Sequence, residues 1–71
     1  MIEIDLTRLL KEKNITSKEL AELIDITEAN LSILRSGKAK AIRFSTLNAI
    51  CKALNCSPGD FIFYKEEEDD D

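Results

Sequence analysis

Seventy-one residues bound the chain to a single small domain, one that buries only about 60% of the surface its unfolded form exposes. At 44% hydrophobic the composition fits a globular fold rather than disorder, and no apolar run approaches the ~20 residues of a membrane span. The formal charge of −4 argues at first sight against a nucleic-acid partner.

In chain order, Met1-Ile-Glu-Ile-Asp5 alternates apolar and polar residues and fits either a short strand or a frayed start. Leu6 to Lys13 reads as a helix with Leu6, Leu9 and Leu10 on one face and Asn14 as a left-handed stop. Thr16-Ser-Lys-Glu19 has the form of a capping box, opening a second helix over about 17–24 that buries Leu20, Ala21 and Ile24. Thr27 then reads as a fresh N-cap, with Glu28 at the positive end of a third helix reaching about Arg35, its inner face Leu31 and Leu34. Ser36-Gly37 ends it. Phe44 to Leu54 is a fourth helix with Leu47, Ile50, Cys51 and Leu54 inward. Ser57-Pro-Gly-Asp60 forms a second capping box that opens a short final helical turn through about Ile62. Phe63-Tyr64-Lys65 fit a strand beside residues 2–5, which would tie the termini together. The expected organisation is an all-α domain over 1–65 and a disordered acidic tail over 66–71, whose six adjacent carboxylates repel one another.

The interruption at Asp25-Ile26-Thr27 is the informative feature. Two short helices joined by a three- or four-residue turn cross at about 90–120°. Such a crossing needs a small residue where the backbones approach (Ala21), an apolar plug in the turn (Ile26) and apolar inner faces (Leu20, Ile24, Leu31, Leu34). It leaves the second helix of the pair protruding, at a size that suits the major groove of DNA. The segments ITSKELAELIDIT, LSILRSGKAK and IRFSTLNAICKALNCSPGDF, in that order and spacing, resemble the phage repressor and Cro-type helix-turn-helix family over residues 6–62. The resemblance implies a compact, lambda-repressor-like five-helix domain whose second and third helices read double-stranded DNA. Asp25 stands where that family usually has glycine, and the first turn of the third helix carries no Arg, Gln or Lys.

Charge distribution fits this reading better than the total does. The tail holds six of the fourteen acids, and the remaining eight against ten cations leave residues 1–65 at +2. Arg35, Lys38, Lys40 and Arg43 place four cations within nine residues. The resemblance assigns phosphate contacts to Lys38, Lys40 and Arg43 after the recognition helix and to Ser17 and Lys18 at the start of the second. Arg35 and Ser36 lie beside them, and Arg43 has the alternative of entering the minor groove. The base-facing candidates on the third helix are Thr27, Glu28, Ala29, Asn30, Ser32 and Ile33. Glu28 suits cytosine N4, Ala29 and Ile33 thymine methyls, and Asn30 adenine. Glu28 is equally accounted for by the helix dipole, and Ile33 by contact with a partner protein.

One such domain reads few base pairs, so a homodimer on a palindromic site is expected, with one of Phe63 and Tyr64 exposed as its seam. Phe61 is expected in the core. Cys51 and Cys56, with no histidine in the chain, make neither a zinc site nor a disulfide scaffold, and read as small apolar residues in a reducing cytoplasm. No nucleophile stands beside a base and no glycine-rich phosphate loop is present, so neither an enzyme nor a cofactor is expected. The expectation is a cytoplasmic transcriptional regulator, a repressor or an activator. The competing reading is a protein-interaction module of antitoxin or anti-repressor type that uses the same helix and the tail.

Overall fold

The computed structural model describes residues 1–37, 39 and 41–66. Its elements are β1 (Ile2–Ile4), α1 (Leu6–Lys13), α2 (Ser17–Leu23), α3 (Glu28–Arg35), α4 (Phe44–Leu54), a single 3-10 turn at Pro58–Asp60 and β2 (Ile62–Tyr64). No helix among the described residues is long and apolar enough to cross a membrane.

All four α-helices are too short to persist alone in water, so they stand by packing. Leu6, Leu20, Leu31 and Ile50, one from each helix, and Phe61 from the last corner are fully buried in one core with Leu9, Leu10, Ala21, Ile24, Leu34 and Leu54. Each such aliphatic or aromatic side chain contributes about 1.5–3 kcal/mol by leaving water. Leu47 and Cys51, expected inward on α4, are half-buried at the core's margin, as is the plug Ile26.

Local chemistry sets the helix ends. Asp5 caps α1, its carboxylate accepting from the Arg8 amide. At α2 the capping box is complete: the Glu19 amide donates to the Thr16 hydroxyl at 3.0 Å and the Thr16 amide to the Glu19 carboxylate at 2.9 Å. Three helices end in the same left-handed cap, with Asn14, Asp25 and Asn55 at φ 58°, 61° and 53°. In each, the next amide closes back onto a carbonyl five residues earlier: Ile15 to Leu10 at 3.1 Å, Ile26 to Ala21 at 3.0 Å and Cys56 to Cys51 at 3.0 Å. The break in the middle of the helical pair is therefore a formed cap. Asp25 takes the left-handed turn, and the 6→1 bond pulls Ile26 under the corner. α2 stops at Leu23, with Ile24 outside the helix but still buried.

The five-helix expectation is corrected to four α-helices and a one-turn 3-10 segment. The Ser57 amide donates to the Asp60 carboxylate at 2.9 Å, as the capping box requires. Phe61, fully buried, then leaves helical geometry at φ −136°, ψ −1°. The Ile-Phe-Tyr run that follows is β-branched and aromatic, and it extends as a strand rather than prolonging the turn through Ile62. β2 pairs antiparallel with β1 in the register Ile2↔Tyr64, Glu3↔Phe63, Ile4↔Ile62, one residue earlier than expected for the second strand. The pairing does tie the two ends of the domain together, and the Lys65 amide donates to the Met1 carbonyl at 2.8 Å. Ile4 and Ile62 pack on the core, whereas Ile2 and Tyr64 continue the same sheet face beyond it. Both Phe63 and Tyr64 are exposed, at 38% and 69%, rather than one of them. The small core ends before the sheet does.

Candidate nucleic-acid interface

α3 meets α2 across the Ala21–Ile26 corner and buries only Leu31 and Leu34. Its outer face is therefore free of the core, and Thr27, Glu28, Ala29, Asn30, Ser32 and Ile33 are all exposed. Thr27 has a structural duty as well, because its hydroxyl accepts from the Asn30 amide at 3.1 Å and caps the helix. Ile33, 47% exposed, lines a groove with Asn30, Ile42, Arg43 and Thr46, between α3 and the segment that leads into α4. That neighbourhood covers about half of the side chain and leaves the other half facing outward.

The cations sort by position. Arg8 is held on the far side of α1 by the Asp5 and Glu12 carboxylates at 3.4 and 3.2 Å. Arg35, at the last turn of α3, donates instead to the Ser17 hydroxyl at the first turn of α2, at 2.5 Å. That bond braces the far end of α3 against the start of α2, and it places two of the expected phosphate-contacting residues side by side. They share an open cleft of about 320 Å³ with Thr7, Lys11, Asn14 and Thr16, in which no carboxylate side chain takes part. Lys11 was not among the residues expected from the sequence. Its only signal there is its place in the last turn of α1, just ahead of the helical pair.

Lys18 is exposed one residue beyond Ser17, and Arg43, also exposed, is the N-cap residue of α4. Ser36 turns its hydroxyl back onto the Ile33 carbonyl at 3.0 Å, finishing α3 before Gly37 takes φ 78°. Lys38, Lys40 and residues 67–71 lie outside the described residues, so two of the expected phosphate contacts and nearly all of the expected tail have no geometry here. Phe44, 83% exposed at the first turn of α4, was not singled out from the sequence either. Among the described residues no cluster of His, Cys, Asp or Glu is arranged to hold a metal ion.

A helical pair with a capped corner, a protruding second helix and hydroxyl and cationic groups at its flanks defines a helix-turn-helix domain. Comparison with known proteins narrows the class. The model of the Cro/C1-type HTH DNA-binding domain matches residues 5–67, and the chain belongs to that family. It is 54% identical over 68 residues to the uncharacterized HTH-type transcriptional regulator YozG of Bacillus subtilis (strain 168), covering 96% of this chain and 81% of that one. Among solved structures, a candidate DNA-binding protein from Bacteroides fragilis superposes with a TM-score of 0.78 at 27% identity, covering 89% of this chain and all of that one. The transcriptional regulator VanUg does so with a TM-score of 0.72 at 29% identity, over 93% of this chain and 89% of that one. The family is one of DNA-binding transcriptional regulators, not of enzymes.

Proposed function

We propose that the chain is a sequence-specific regulator of transcription that inserts the N-terminal half of α3 into the major groove. Glu28, Ala29, Asn30, Ser32 and Ile33 are the base-reading residues, with Thr27 setting the helix start. Two flanks seat the backbone: Ser17, Lys18, Lys11 and the guanidinium of Arg35 on one, and Ser36 and Arg43 on the other; Lys38 and Lys40, close to them in the sequence, add phosphate contacts. The observation that carries this reading is the Arg35–Ser17 bond, which fixes a cation and a hydroxyl beside a helix whose outer half is open. Phosphate contacts set register while base edges set sequence, and both kinds of group are present along one surface.

A single domain of this size covers a few base pairs, so the regulator acts as a symmetric homodimer on a palindromic site. Tyr64 and its cross-strand neighbour Ile2, exposed together at the end of the sheet, form its seam. Residues 1–65 are the binding domain, and 66–71 are an acidic tail that repels the phosphate backbone.

Selection of bound duplexes from a random pool, followed by a salt titration of the best one, tests the proposal. A palindromic consensus is expected, with an affinity that falls by roughly 0.9 log unit per phosphate contact for each log unit of salt. No enrichment, or an affinity indifferent to salt, would overturn it.

A further inference from the structure

The left-handed caps of α1, α2 and α4 share one geometry, and that geometry sets two side chains against each other. The 6→1 closure brings the residue three positions inside the helix end against the residue just past the left-handed one, a pairing that usually makes an apolar contact. In α1 the pair is Leu10 and Ile15; in α2 it is Ala21 and Ile26. In α4 the same two positions are Cys51 and Cys56, joined through their backbones by the 3.0 Å amide–carbonyl bond. Each thiol is near enough to the other for Cys51 to weigh on the ionisation of Cys56. Both cysteines are free, and both are half-buried at the molecule's margin, within reach of a small reagent. A disulfide needs Cα atoms roughly 4.4–6.8 Å apart with converging Cβ directions, and the 3.0 Å bond between the two backbones keeps the residues adjacent, as such a bridge requires.

We propose that Cys51 and Cys56 are a reversible redox-modification site, oxidised by low-molecular-weight disulfides to an intramolecular disulfide that locks the C-terminal cap of α4. In the first step one cysteine thiolate attacks a sulfur of the small disulfide RSSR, forming protein–S–SR and expelling RS⁻. In the second, the other cysteine attacks the protein sulfur of that mixed disulfide, forming the Cys51–Cys56 bond and expelling the second RS⁻. Two protein thiols lose two electrons, RSSR is reduced to two RSH, and the two protons leave with them. Burial, and after it the adjacent Cys51 thiol, push the Cys56 thiol up; either cysteine can open the sequence, and the other resolves it. The lock sits at the opposite end of α4 from its N-cap Arg43. Oxidation therefore stiffens the corner leading to Pro58–Asp60 and β2 and leaves the α3 surface unaltered.

The test uses the full chain, reduced and then incubated with oxidised glutathione. The expected product is a monomer about two mass units lighter, with a Cys51–Cys56 cross-link in its peptide map, reversed by dithiothreitol and melting several degrees higher than the reduced form. C51S and C56S should each carry one glutathione instead. Wild-type protein carrying two glutathiones, chains joined to one another, or a cross-linked product that melts lower would each overturn the proposal. None of these readouts involves DNA, so they stand or fall independently of the regulator reading.

Discussion

Three non-glycine residues hold the left-handed conformation that ends α1, α2 and α4, and each is an Asn or Asp, the side chains that tolerate it best after glycine. Asp25 carries the strain at the corner that aims α3. Asp25→Gly removes it and should raise stability by up to about 1 kcal/mol, less the extra freedom glycine gains in the unfolded chain. A higher melting temperature with unchanged DNA affinity is expected, and a lower one would contradict the account of the corner. Asn14 and Asp25 were legible in the sequence because each follows a clear apolar period and precedes a cap. Asn55 stands in the same place, after the apolar period of α4 and two residues before Ser57, and went unread. Cys56 supplies a second prediction at this scale. Its thiol is pushed up in the folded state, by burial first and by Cys51 next, so as pH rises the unfolded thiol ionises before the folded one. The stabilisation is intact below the ordinary thiol value of about 8.5 and is lost as pH climbs from there through the folded value. Melting scans under reducing conditions should fall more steeply across that alkaline range for the wild type than for Cys56→Ala, and equal slopes would refute the assignment.

At the scale of elements, capping residues in the sequence marked where α2 and α3 begin, and Thr27 is both a cap and a proposed base-facing residue. Its hydroxyl satisfies the Asn30 amide, and loss of such a cap costs about 1 kcal/mol. Thr27→Ala should lower stability by about that amount, while Thr27→Ser restores it; a change in preferred duplex that persists in the serine variant would mark the methyl group as a base contact. If neither substitution altered melting, the cap would not be contributing as described. The helices were legible because each carries an apolar face at helical spacing. What the sequence did not disclose was tertiary in origin. Phe61 must fill the bottom of the core, and that demand draws the chain out of its last turn and into β2 one residue early. A capping box predicts that a turn starts, not how long it lasts.

Over the whole molecule, the net negative charge conceals a division between a near-neutral body and an acidic end. Deleting residues 66–71 should raise DNA affinity and flatten none of its salt dependence, as read by equilibrium titration; lower affinity would assign the tail an attractive role instead. The exposed surface of the proposed interface was legible in part. The exposed outer face of α3 follows from the helical pair, but the bond of Arg35 to Ser17 and the entry of Lys11 belong to the packing, since the last turn of α1 borders the same cleft. No spacing rule links residue 11 to residue 35, since that proximity belongs to the fold. The central claim is that α3, braced by the Arg35–Ser17 bond, presents its outer half to a DNA duplex. Backbone amide shifts of isotope-labelled protein, followed as a selected duplex is added, test it most directly. The account predicts changes concentrated at residues 27–33, at Lys11, Ser17 and Lys18, and at residues 41–43, with the outer face of α1 around Arg8 and Glu12 unmoved. Changes centred on Arg8 and Glu12, or none near α3, would contradict it.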